Sequence, residues 1–305
     1  MGFSPNGKAL GFAAAVFSYV SFGVLVFYWK ALGSLSSYEI LAFRILLTAV
    51  TAGLVLLFTG RMGQAVALLK DRSALRLSAF SGLSIIANWG VYIWAVDHSY
   101  VTEASLGYFI MPLITALSGL WFFKEKLSGF TAASLVMAAC GVLYLTISYG
   151  RVPFIALAVA VSYNSYIVLH KRSNLSPLVG QFIETLLVAP FALGYLIFLG
   201  GRGQLGAATA PPLTLALLVL AGAITIFPLY STLVAQKHIS LAALGIISYL
   251  SPALQLLIGI FAFKEVFTRN HAVTLSAVLA SLVIFTIGQF KMASQQAPIQ
   301  QKSGG

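Results

Sequence analysis

Leu106–Leu127 reads LGYFIMPLITALSGLWFFKEKL, and Ile246–Phe267 reads IISYLSPALQLLIGIFAFKEVF. Both are long apolar runs that close on the same signal. Pro112 matches Pro252 and Lys124-Glu125 matches Lys264-Glu265, at an offset of 140 in each case. The same offset pairs His98 with His238, and an offset of 139 pairs Ser37 with Ser176 and Phe43 with Phe182. Each run is long enough to cross hydrocarbon about 30 Å thick, which takes about 20 residues of helix. Continuous apolar runs are not the alternating ten-residue segments of a barrel. Backbone groups in lipid must be satisfied within the segment, so these runs predict helices.

Ten such runs fill the chain, at roughly 9–29, 37–59, 74–96, 103–123, 127–148, 152–170, 177–199, 212–235, 240–263 and 270–290. The first follows only Lys8 and is long for a signal segment, so it reads as a retained span. Of 305 residues, 59% are hydrophobic and 8% charged, and mean hydropathy is +0.95. A soluble domain is about 25% charged. Seven acids cannot build a soluble surface, which excludes a cytosolic globular enzyme and a disordered chain. The single cysteine, Cys140, lies in an apolar run and excludes a disulfide scaffold. The net charge of +11 forms no basic face, because its residues are spread between apolar runs, so nucleic acid is not an expected partner. The lipid bilayer is.

Basic residues accumulate in cytoplasmic loops. With the N-terminus inside, twelve lie on the cytoplasmic side and five (Lys30, Arg151, Arg202, Lys264 and Arg269) on the other. Arg44 lies within a span. The count predicts that both termini are cytoplasmic. Residues 60–73, in the connector Arg61–Arg76 where apolar and basic residues alternate, read as an interfacial helix on the headgroups.

The offset of 140 covers five helices, and five is odd. The two copies are therefore expected upside down relative to each other. The fold class that follows is an all-α integral membrane protein, ten transmembrane helices in two inverted five-helix repeats. The boundaries are 1–148 for the first repeat, 149–291 for the second and 292–305 for a disordered polar tail. Inverted repeats place a binding site near the midplane and supply two similar states open to opposite sides. The bland alternative is a duplication that merely made a stable bundle.

Two charges sit well inside spans, Arg44 in the second and Glu184 in the seventh. Each costs about 2.5–3.5 kcal/mol at a helix centre on insertion scales, so each should face protein or water. Arg44 is a candidate anion contact, or it pairs with Glu39 or Glu103. Glu184 is a candidate proton carrier, since a carboxyl in low dielectric holds a proton more readily, or it is a structural group bonded to a backbone carbonyl. Asn88 and Tyr92 share one helical face, as do Tyr108 and Pro112, and Ser248, Pro252 and Gln255. Asn164 lies among tyrosines in the sixth span. The substrate pathway expected from these residues is Arg44, Asn88, Tyr92, Tyr108, Asn164, Glu184, Ser248 and Gln255, with Pro112 and Pro252 as kinks. Such groups also glue helices together. Trp29 and Trp121, near span ends, read as interface-belt residues. No two histidines share a span at ligand spacing, no phosphate-binding GxxxxGK[ST] is present, and no HExxH or GxSxG occurs. No metal, cofactor or enzymatic chemistry is expected.

Several stretches resemble the RarD permeases, in the EamA branch of the drug/metabolite transporter superfamily. They are Tyr28-Trp29-Lys30-Ala31-Leu32-Gly33, Glu39 to Ile45 (EILAFRI), Asn88 to Val96 (NWGVYIWAV), Glu103 to Leu113 (EASLGYFIMPL) and Glu184-Thr185-Leu186-Leu187. The resemblance covers nearly the whole chain. It departs at Phe43, where the family usually has His, at Met111, where Asn is usual, and at Ser248, where Gln is common. The resemblance implies a multi-pass protein of the bacterial inner membrane, linked by name to chloramphenicol sensitivity, with no defined physiological substrate. The expected function is a secondary exporter of small metabolites, amino-acid-like ones included, or of amphipathic drugs. The rival is a non-transporting membrane scaffold or sensor, which lacks a soluble effector domain here.

Overall fold

The computed structural model describes residues 5–98, 100–173, 175–264 and 268–302. All regular elements among them are helical. In chain order they are α1 (Pro5–Val24), α2 (Val26–Ala31), α3 (Ser37–Phe58), α4 (Met62–Lys70), α5 (Arg72–Asp97), α6 (Val101–Phe123) and α7 (Gly129–Ser148). Then follow α8 (Phe154–Ser173), α9 (Pro177–Gly201), a 3-10 turn (Gly206–Ala208), α10 (Pro212–His238), α11 (Leu241–Ser248), α12 (Leu250–Phe261) and α13 (Arg269–Lys302). With α1–α2 and α11–α12 each counted as one broken span, ten helices are long and apolar enough to cross a membrane. The outward surface agrees. Phe58, Phe191 and Trp121 are 88%, 77% and 70% exposed, which only an apolar solvent tolerates in such density. The chain is a multi-pass, all-α membrane protein.

The helix boundaries have local causes. Ser36, Ser128 and Ser240 cap α3, α7 and α11, each side-chain oxygen accepting an N–H three residues on, at 3.1–3.2 Å. Pro177 and Pro212 open α9 and α10, where a missing N–H costs nothing. At the far ends, Lys124 (φ 51°) and Lys264 (φ 59°) are the described non-glycine residues in the left-handed region. They are the two lysines matched in the sequence. At Lys124 the turn brings the Glu125 N–H onto Gly119 O at 3.0 Å and folds the Glu125 side chain back against the bundle.

The two matched prolines behave differently. Pro252 has no N–H for the Ser248 carbonyl, and the ninth span breaks at Tyr249 into α11 and α12. α6 runs unbroken through Pro112. α11 packs along α6 and braces it. A Cβ on Gly245 would lie 2.5 Å from Pro112 O, so the two backbones touch.

Three glutamates of residues 1–148, Glu39 and Glu103 buried and Glu125 partly so, each hold a backbone start beyond residue 148. Glu39 accepts from Gly206 and Ala207 N–H at 3.1 and 2.7 Å. Glu103 accepts from Ile155 N–H at 2.8 Å and pairs with Arg151 at 3.2 Å. Glu125 accepts from Leu241 and Ala242 N–H at 2.8 and 3.1 Å and pairs with Lys171 at 2.8 Å. A carboxylate at a helix start satisfies orphan donors and the positive end of the helix dipole together.

α4 is the helix expected in the connector. Its Ala65 and Leu68 are buried against Leu56, Leu178 and Ile183, so one face seats on the bundle. α13 runs on past Met292, where the membrane-length span ends.

Close backbone contact gives a stability test. At Gly222 in α10 an added Cβ would fall on the Leu47 carbonyl of α3, whereas Gly194 in α9 faces open space. Gly222→Ala should lower the melting temperature of the purified protein, at a cost of about 1–3 kcal/mol for overpacking. Gly194→Ala should leave it unchanged or raise it, since Ala favours helix by about 1 kcal/mol.

Candidate functional site

A cavity of about 360 Å³ opens among α1, α2, α3, α5, α6 and α12. That lies within the range of small-molecule sites, about 300–1,000 Å³. Its lining includes Gly33 and Leu35 of the connector between the first and second spans, and Ser37 at the start of α3. It also reaches Met111, Tyr163 and Leu229, near mid-span. At the bundle end where α1 begins, the Glu125–Lys171 pair holds the start of α11.

Arg44 is the charge in the cavity wall. Its Nε donates to Thr225 Oγ1 at 2.9 Å, across from α3 to α10. The guanidinium carbon lies 3.8 Å from the Trp89 ring centroid and 4.8 Å from that of Trp29. Two electron-rich faces partly balance the cation. No acid among the described residues lies within ion-pair distance of it. Pairing with Glu39 or Glu103 is therefore corrected: both carboxylates are taken by backbone N–H groups, and Glu103 also by Arg151 and Tyr149. Trp29 is corrected too. It stands against Arg44 in the cavity wall rather than in an interface belt, while Trp121 points outward.

Asn88, Tyr92, Tyr108 and Gln255 join Arg44 at the cavity. Asn88 Nδ2 donates to Val159 O at 2.7 Å, and Gln255 Nε2 to Phe22 O and Ser251 Oγ at 3.2 Å each. Each amide thus keeps its oxygen uncommitted. The Tyr92 and Tyr108 rings meet edge to face at 5.3 Å. Tyr19 and Ser251 also line the wall, and no spacing in the sequence marked either.

Asn164, Ser248 and Glu184 are not brought to the cavity. Asn164 Nδ2 donates to Ser118 Oγ at 2.8 Å, and Ser248 Oγ donates to Gly245 O at 2.7 Å. Glu184 is 3% exposed and faces His170, also 3% exposed, with Nε2 2.6 Å from Oε1. The Tyr166 ring meets the imidazole edge on at 4.9 Å. A Cβ on Gly180 would lie 2.5 Å from His170 Cε1, so this glycine makes room for the ring. Sequence reading missed His170. The one available signal was its place in the last turn of the sixth span, one short connector before the helix of Glu184. Nearby, the side-chain amides of Gln181 in α9 and Gln236 in α10 are buried without hydrogen-bond partners. No group of three potential metal ligands occurs among the described residues.

Broken helices around a largely apolar cavity with a few polar groups, in a ten-span bundle, are the architecture that membrane transporters use. The profile of the EamA-like transporter family matches residues 9–147. An uncharacterized transporter, YojE of Bacillus subtilis, is 38% identical over 90% of this chain and 92% of its own. Protein RarD of Streptomyces exfoliatus is 34% identical over 92% and 88%. A solved crystal structure superimposes with a TM-score of 0.67 at 17% identity, covering 92% of this chain and 98% of that one, a likeness of fold. The chain belongs to the EamA-like transporter family, among its RarD-type members.

The buried pair makes a prediction. Removing one partner of a buried polar pair leaves the other group unsatisfied and costs about 1–3 kcal/mol, whereas an apolar replacement of both sides can be nearly neutral. Glu184→Ala should therefore lower the melting temperature sharply, and the double variant Glu184→Leu with His170→Leu should recover at least half of the loss. Thermal melts of the three proteins in one detergent check this.

Proposed function

We propose that the protein moves small amphipathic solutes across the bacterial inner membrane by alternating access, with both termini cytoplasmic and the cavity open to the outside. The observation that carries this reading is the cavity with a membrane-embedded charge, Arg44, in its wall. Intramembrane charge is costly and rarely kept without a pathway to serve.

The two five-span units, 1–148 and 149–291, interleave, and each span of one packs mainly on spans of the other. The second span packs on the seventh, the fourth on the ninth and the fifth on the tenth. The remaining main contacts come in pairs: third on sixth with first on eighth, fourth on sixth with first on ninth, third on seventh with second on eighth. Exchanging each span for the one five later leaves this pattern unchanged, as two repeats about a pseudo-two-fold axis require. In the alternative state the Glu125–Lys171 clamp opens. Glu184 is the proposed proton carrier, with His170 as the group that holds it in the closed half. The pathway then passes Asn164 and Ser248 when that half opens.

Reconstituted liposomes test both levels. Protein-dependent efflux from a trapped metabolite mixture is the expected result, and no flux of any solute, with or without a pH gradient, would retire the transporter reading. Glu184→Gln should abolish pH-driven accumulation while exchange persists. Full pH dependence in that variant makes Glu184 a structural residue.

A further inference from the structure

The cavity carries a positive charge and no negative one. Of the seven acids, Glu39, Glu103 and Glu125 are held by helix starts and basic residues, and Glu184 faces His170. Among the described residues, none of the side chains lining the cavity is acidic. Arg44 spends only its Nε on the protein, donating to Thr225. Its two terminal nitrogens have no described partner, and the tryptophan faces supply a quadrupole rather than a counter-charge. A guanidinium presents those nitrogens as a planar fork that matches a carboxylate. Around it the wall is mostly ring and aliphatic surface, including Trp29, Trp89, Tyr92 and Tyr108. The neutral oxygens of Asn88 and Gln255 can accept a hydroxyl or amide N–H, but they give no full charge to a cation.

We propose that the solute is an organic anion, an apolar or aromatic body bearing one carboxylate that docks on the terminal nitrogens of Arg44. This deepens the proposed function and rests on the cavity being the solute site. The solute itself completes the charge balance of the wall, which explains why the protein has no acid there. It also sets a direction for selectivity: neutral analogues bind weakly, and cations of the same shape bind least.

Isothermal titration calorimetry on the full chain in lipid nanodiscs, at one fixed salt concentration, tests this with three isosteric probes. These are 3-phenylpropionate, 3-phenylpropanamide and 3-phenylpropylamine. The acid should bind at least tenfold tighter than the amide, and the amine most weakly. Acetate, which has the charge without the body, should bind at least tenfold more weakly than phenylpropionate. Arg44→Gln should reduce the acid-over-amide ratio to within twofold of one, and Arg44→Lys should keep the order of the probes while weakening the acid at least threefold. If the glutamine variant does not fold, the wild-type series and the lysine variant decide. An amide that binds as tightly as the acid, an amine that binds best, or a preference that survives Arg44→Gln overturns the anion assignment while leaving the cavity a solute site. No binding of any probe, together with no flux in liposomes, overturns both.

Discussion

Everything in this bundle depends on giving each buried backbone donor and each charge a partner in a medium that offers none. Glu125 meets that demand for three groups at once. Its carboxylate takes the N–H groups of Leu241 and Ala242 and the ammonium of Lys171. α11 can begin inside the protein because of it. Ser240 Oγ takes the next donor, Ala243 N–H, so the first turn of α11 is complete. Glu39 and Glu103 do the same at the other end of the bundle. Three of only seven acids thus hold the halves of the chain together, and the cavity forms where those contacts stop.

That division of labour explains the site. A membrane protein with few carboxylates commits them to backbone and base pairs, so the arginine in the cavity is left to aromatic faces. Trp89 and Trp29 sit on it at distances that make a cation tolerable without neutralising it. The amides of Asn88 and Gln255 are fixed by carbonyls of other helices, Val159 and Phe22. They are held rather than free to adapt.

The ten spans could be read from apolar run length alone, because lipid imposes one period and one length on every segment. The Pro…Lys-Glu match at offset 140 located two helix ends whose lysines share a left-handed backbone, a local property that a short motif encodes. The site was only half legible. Arg44, Asn88, Tyr92, Tyr108 and Gln255 meet at the cavity because intramembrane polarity is costly and therefore informative. Glu184 gave the same signal but faces His170, and polarity alone does not say which way a helix is turned. Trp29 was misread for that reason. Tyr19 carried no signal, since a lone tyrosine on an apolar helix becomes a wall residue only through helices distant in sequence. The break at Tyr249 but not at Pro112 likewise follows from how α11 lies on α6.

The three glutamate clamps also order the birth of the protein. Glu39, Glu103 and Glu125 are all made before the backbone they hold, and Glu39 waits through 167 residues for Gly206. At about 5–20 residues per second that is roughly ten to thirty seconds of synthesis. Glu103 and Glu125 meet Arg151 and Lys171 after 48 and 46 residues, whereas Glu39 goes without its partners for the whole of that interval. All three lie at or just beyond helix ends, within reach of headgroups and water, where waiting is cheap; mid-helix they would oppose insertion. The first half can therefore enter the bilayer early but cannot set its final packing until the second half arrives.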